Sequence, residues 1–245
     1  MTTNYTDHSQ LKAARVAGFT FLFAIAIVIF SNFSINFRFI IPNDAAETAS
    51  NIIANQTLFR INVVCNLIYL VTLIVMFTSL YVILKPVNKN LALASAFFRF
   101  IYALMWGVMA LNTFSALRIL GDASYLPVFE VDQLQTLSRL HLGSSWDAYY
   151  IGLPFWGLAS LVCSYLWFKS KYIPRALAIF GIVSSLWCVI CAFVFIIFPG
   201  FEETVNLWFF DMPLVIFEII LGFYLLFKVL RLSGIAQPNV TIQDK

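Results

Sequence analysis

Residues 91–118 read LALASAFFRFIYALMWGVMALNTFSALR, an apolar run closed by Arg118 with a single charged side chain, Arg99, inside it. Crossing about 30 Å of hydrocarbon takes about 20 helical residues, so this stretch reads as a membrane-spanning helix. An arginine within such a helix costs roughly 2.5–3.5 kcal/mol on insertion scales and therefore faces a partner or a cavity. The chain offers one acid in a comparable position, Glu218, inside the apolar stretch 211–230.

Working outward, six stretches are long and apolar enough to span: about 16–37, 61–84, 91–118, 148–168, 176–198 and 211–230. The composition agrees. Of 245 residues 61% are hydrophobic and 11% charged, against about 25% charged in a soluble domain. That little charge cannot cover a water-facing surface, so lipid is the expected solvent. Runs this long exclude barrel strands, and helix alone satisfies its own backbone in lipid. The expected fold is all-α: one polytopic bundle of six helices forming a single domain over 1–245, with short tails at 1–12 and 232–245. Lys12 and Arg15 precede the first run as they would in a signal peptide. That run continues to about Phe37, beyond the roughly 7–15 residues of a cleavable segment, so a retained helix is expected.

The basic residues fall asymmetrically. Lys12, Arg15, Lys85, Lys89, Lys169, Lys171, Arg175, Lys228, Arg231 and Lys245 lie at the termini and even loops. Arg38, Arg60, Arg118 and Arg139 lie on the other side, among Asp44, Glu47, Asp122, Glu130, Asp132, Glu202 and Glu203. The positive-inside rule then places both termini in the cytoplasm. Two outer loops have their own pattern. Residues 43–60 open with a capping-box-like Asp44-x-x-Glu47, and 129–142 carry Val131, Leu134, Leu137 and Leu140 on one helical face. Both read as short amphipathic helices on the outer face. Trp146, Tyr149, Tyr150 and Trp208 stand where interfacial aromatic belts occur. No internal repeat is apparent, which gives inverted-repeat transporter logic little support.

Further stretches carry a resemblance. They include Arg15-Val16-Ala17-Gly18, Ile41-Pro42, Thr48-Ala49-x-Asn51-Ile52 and Leu58-Phe59-Arg60. Leu84-Lys85-Pro86-Val87-Asn88-Lys89-Asn90-Leu91-Ala92-Leu93 follows, then Phe98-Arg99. Later come Ile151-Gly152-Leu153, Phe155, Gly157-Leu158, Lys169-Ser170, Ile173-Pro174-Arg175, Leu177 and Glu218. Across about 12–230 the chain resembles the multi-pass family called domain of unknown function 4386. The resemblance implies a six-helix fold in a bacterial cytoplasmic membrane and supplies no activity. One departure is Tyr102, where the family often places an acid three residues after the arginine.

Arg99 lies eight residues beyond Leu91, roughly 12 Å into its helix, and Glu218 ten residues before Lys228, roughly 15 Å in from the same side. At that similar depth they can form a charge pair, either as a packing and topology lock or as the polar floor of a cavity. A protonated Glu218 with another partner such as Asn112 is the remaining arrangement. Tyr102, Trp106 and Thr113 continue the face of Arg99, and Asn62, Asn66 and Tyr69 share a face of the second span. Such polar side chains either hydrogen-bond neighbouring helices or line a half-polar pocket between spans two, three and six. The candidate ligand-binding set is Arg99, Glu218, Tyr102, Trp106, Asn66 and Asn112.

Other chemistry is weakly signalled. His141 and Asp147 flank the start of the fourth span, near Glu130 and Asp132, yet no H-x-x-x-H or H-E-x-x-H spacing exists and Asp147 reads equally as a helix-start residue. Cys188 and Cys191 share a helical face with no charge nearby to activate a thiol, and the four cysteines define no disulfide framework. Pro213 after Asp211 fits a first-turn proline. No metal or cofactor is expected, and no basic run suggests nucleic acid. The expected partners are the bilayer and a small hydrophobic ligand; the sequence names no protein partner. Three functions remain open: a membrane protein holding a small amphipathic or lipid-like ligand, an intramembrane enzyme acting on a lipid or quinone, and an accessory or scaffold subunit.

Overall fold

The computed structural model describes residues 3–121, 124, 126–198, 200–201, 205 and 207–227, with side chains from Ser9 onward except at 207 and 208. Asp122, Glu202, Glu203, residues 228–230 of the sixth expected span, the tail 232–245 and the side chains of His8 and Trp208 lie outside them.

Most of the described residues are helical, and none is in a strand. The elements are α1 (Thr3–Ser31), continued by a π turn (Asn32–Asn36) and a last helical turn (Phe37–Phe39), then α2 (Ala45–Ala54), α3 (Gln56–Leu84) and α4 (Lys89–Ile119). After them come α5 (Val131–Ser170), α6 (Arg175–Ile197) and α7 (Leu207–Phe227). Helices α1, α3, α4, α5, α6 and α7 are long and apolar enough to cross a membrane. This is a multi-pass membrane protein.

Local sequence sets the ends. Asp44 caps α2, its carboxylate accepting from the Glu47 amide at 2.8 Å. Asn88 caps α4 in the same way through the Leu91 amide, 3.1 Å. Glu130 and Gln133 form a reciprocal capping box at the start of α5, and Lys171 closes that helix in the left-handed region (φ 58°). The amphipathic 129–142 stretch is thus helical, yet it runs unbroken into the fourth span: α5 has 40 residues, about 60 Å at 1.5 Å per residue. Ser138 and Ser145 tie this part of α5 to the Ala116 and Met109 carbonyls of α4. Asp147 accordingly sits exposed in mid-helix rather than at a helix start. Pro213 is likewise internal to α7, because the helix begins at Leu207. A proline frees the carbonyl four residues earlier, and here the Trp187 indole donates to that Phe209 carbonyl at 3.2 Å.

The six spans form a closed ring in chain order: α1 packs on α3, α3 on α4, and so on to α7, which returns to α1. Outward faces carry large apolar side chains such as Phe19, Val71, Leu111 and Val183, as lipid demands. The ring interior holds the main core, and a second cluster built from Ile35, Phe39, Ile52, Phe59, Leu117 and Leu142 packs α2 against the ends of α1, α4 and α5. The ring closes at Gly18 of α1 and Gly222 of α7. A Cβ on Gly18 would stand 2.6 Å from the Gly222 carbonyl oxygen and 2.7 Å from the Leu226 amide nitrogen. Backbones approach this closely only where a small residue permits it.

Gly18→Leu should therefore lower the unfolding temperature in detergent by forcing α1 from α7, a cost of about 1–3 kcal/mol or more. Gly143→Ala, at a helical position with nothing within 4 Å of the added carbon, should hold or raise it, by up to about 1 kcal/mol. Parallel thermal melts check both.

Candidate functional site

Arg99 reaches the middle of the ring from α4, only 2% exposed, and Glu218 reaches it from α7, 6% exposed. The guanidinium Nη2 donates to Glu218 Oε1 at 2.9 Å and to Ser160 Oγ of α5 at 2.8 Å. Nη1 lies 3.6 Å from Met76 Sδ of α3, and the guanidinium carbon stands 5.5 Å from the ring centre of Phe21 on α1. One side chain thus touches four other helices. Glu218 Oε1 also accepts from the Trp156 indole at 3.0 Å and the Ser160 hydroxyl at 3.2 Å. All three donors converge on Oε1, and Oε2 takes no hydrogen bond among the described residues.

Above this pair, toward the loops that hold the acidic residues, lies a cavity of ≈ 290 Å³ with Glu218 in its lining. Tyr102, Trp106 and Met109 form its α4 wall, and Tyr69 joins them from α3. Trp156, Tyr149 and Trp146 form the α5 wall. On α7 the lining runs from Glu218 through Val215 to Asp211, about 10 Å along the axis. The α1 wall is apolar apart from Asn32 and ends in Phe33 and Phe37.

The aromatic lining is continuous. Tyr102 stacks on Trp156 (5.9 Å between centroids, 16° between planes), and Trp106 contacts Tyr102, Tyr69 and Tyr149. Tyr149 also meets Trp146 edge-on and donates its hydroxyl to Asp211 Oδ2 at 2.7 Å. Two buried donors in this region have no well-formed acceptor among the described residues: Arg99 Nε and Trp106 Nε1.

The π turn shapes the α1 wall. Such turns are rare and concentrate at functional sites. Here the turn is held by a buried amide chain: Ser31 donates to Asn62 of α3, Asn62 to Asn36 (2.6 Å), and Asn36 to Asn32 (3.0 Å). Past the Gly18–Gly222 contact both α1 and α7 line the cavity, with Ile29, Phe33 and Phe37 exposed on one side and Val215 and Ile219 half-buried on the other.

Of the six candidate side chains, Glu218, Tyr102 and Trp106 line the cavity and Arg99 sits beneath it, bonded to Glu218. The other two lie elsewhere. Asn66 is buried one turn from Tyr69 and does not line the cavity. Asn112 is no partner of Glu218; its amide oxygen meets His141 Nδ1 at 3.2 Å. The pocket also differs from one between spans two, three and six alone, because α1 and α5 supply much of its wall. Sequence reasoning missed Trp156, Ser160 and Asp211 and assigned Tyr149 to an interfacial belt. Their spacing held a signal: Tyr149, Trp156 and Ser160 stand at i, i+7 and i+11, and Asp211 and Glu218 at i and i+7, each set on one helical face. Among the described residues no three His, Cys, Asp or Glu side chains group to hold a metal.

Residues 16–228 match the family described as "Domain of unknown function (DUF4386)". The chain belongs to that family. No curated protein and no solved structure matches the chain. The family assignment carries no activity, so function must be argued from the cavity.

Trp156→Phe keeps the ring on Tyr102 and removes one of the three donors to Glu218. It should cost about 1–2 kcal/mol, read as a lower unfolding temperature with unchanged helix content by circular dichroism.

Proposed function

We propose that this protein holds a small amphipathic or lipid-like ligand in the cavity above the Arg99–Glu218 pair, without turning it over. The observation that carries the reading is the cavity's form: aromatic walls, a carboxylate floor fixed by three donors, and lining residues on α1 that are also exposed on the lipid-facing side. Binding sites are typically concave and mostly apolar, with a few placed polar groups. A lining that reaches the lipid-facing side would admit a ligand already dissolved in the bilayer. Of the candidate side chains, Glu218, Tyr102 and Trp106 would face such a ligand and Arg99 would hold Glu218 in place. The family resemblance supports a bacterial cytoplasmic membrane, and the charge asymmetry of the loops supports both termini in the cytoplasm, so the cavity would lie toward the outer leaflet.

Native mass spectrometry of the purified protein tests this, wild type beside Val215→Trp, which fills the cavity while leaving Arg99, Glu218 and Ser160 unchanged. A discrete small-molecule or lipid adduct on wild type, lost from a folded Val215→Trp, is the expected result. Bare protein in both samples would remove the reading and favour a packing or scaffold role.

A further inference from the structure

The cavity lining contains two carboxylates and no Lys or Arg. Arg99 neutralises Glu218 from below, through 2.9 Å. Asp211 is a different case. It lies two helical turns away, and its described polar side-chain contact is the Tyr149 hydroxyl at 2.7 Å, with no basic partner among the described residues. An ionised carboxylate in an apolar slot is costly unless a counter-charge or several donors meet it. The Tyr149 hydroxyl and the residue's own backbone amide are neutral donors and supply no counter-charge. The lining around Asp211 is aromatic: Tyr149 holds it, Trp146 and Trp106 pack edge-on to Tyr149 at 6.0 and 6.4 Å, and Phe33 and Phe37 complete the lining from α1. Ring faces attract organic cations, and recognition of substituted ammonium groups by an aromatic cage is a recurring use of that force. Trp106 adds a second sign of an occupant, because its buried indole N–H, beside Tyr102, has no well-formed acceptor among the described residues.

The geometry points to a ligand with an organic ammonium head: the cation sits between Asp211 and the aromatic cage, and an apolar chain extends along α1 and α7. An anionic head is disfavoured by the same arrangement, since it would meet two carboxylates, no Lys or Arg is among the described lining residues, and the Arg99 guanidinium beneath is already bonded to Glu218 and Ser160. This inference rests on the ligand-cavity reading and sharpens it to a charge class.

The test uses the purified full chain in maltoside micelles, followed by intrinsic fluorescence, since Trp106, Trp146 and Trp156 line the cavity. Decyltrimethylammonium is titrated beside its uncharged isostere, in which carbon replaces nitrogen, and beside decyl phosphate. The expected result is a saturable change with the cation at a midpoint about tenfold or more below that of the isostere, and none with the phosphate. Asp211→Asn should erase the preference, whereas Asp147→Asn, exposed and outside the cavity, should keep it. Tetramethylammonium separates the sources of the cation. Saturation at a similar midpoint assigns a water-borne amine, and weaker binding assigns an amphiphile or lipid head; both support the inference. Equal midpoints for cation and isostere on wild type, a comparison needing no variant, overturn the ammonium assignment and leave the cavity reading standing. No saturable change with any probe, together with bare protein by native mass spectrometry, overturns both.

Discussion

A guanidinium buried in an apolar bundle constrains everything near it. Arg99 is 2% exposed and cannot be left unpaired in lipid, so the ring must bring Glu218 and Ser160 to it, and it does so within 3 Å. Met76 and Phe21 supply the softer contacts from α3 and α1. Five of the six spans thereby meet at one side chain, which fixes their rotation about their own axes. A ring of helices that packs lipid-like surfaces on lipid gains little hydrophobic energy from closing, and such interactions must supply the specificity. Removing one partner of such a pair costs about 3–5 kcal/mol, because the survivor is left charged and buried.

The cavity follows from the way the ring closes around that pair. At Gly18 and Gly222 the first and last spans lie in backbone contact. Beyond that point the π turn of α1, held to α3 through Asn62, and the aromatic wall from Trp156 to Trp146 occupy the perimeter without filling the centre. Glu218 belongs to both features: Oε1 takes the three hydrogen bonds, and the residue also lines the cavity. A structural pair and the proposed ligand floor are therefore compatible descriptions of this carboxylate.

The sequence made the six spans and the depth of Arg99 and Glu218 legible, because a charge inside an apolar run of helical length has few explanations. The Asp44 cap was equally plain in Asp44-x-x-Glu47. The length of α5 was not, since hydropathy falls at its polar first turns while the backbone hydrogen bonds continue regardless. Nor was the α1 wall: a π turn needs one residue of extra winding and leaves no hydropathy mark. Tyr149 read as interfacial by its position along the chain and Asp211 only as a residue preceding a first-turn proline, and only the ring's closure shows that they share a cavity. Asn112 illustrates the reverse error, a polar residue on a favourable helix that tertiary packing gives to His141.

A double-mutant cycle of thermal unfolding on Arg99→Met, Glu218→Leu and the combined variant tests the dependence of the bundle on this pair most directly. If the pair is the constraint, each single change lowers stability steeply and the combined variant, with no stranded charge, unfolds closer to wild type than either. Additive losses, or single variants as stable as wild type, would contradict it.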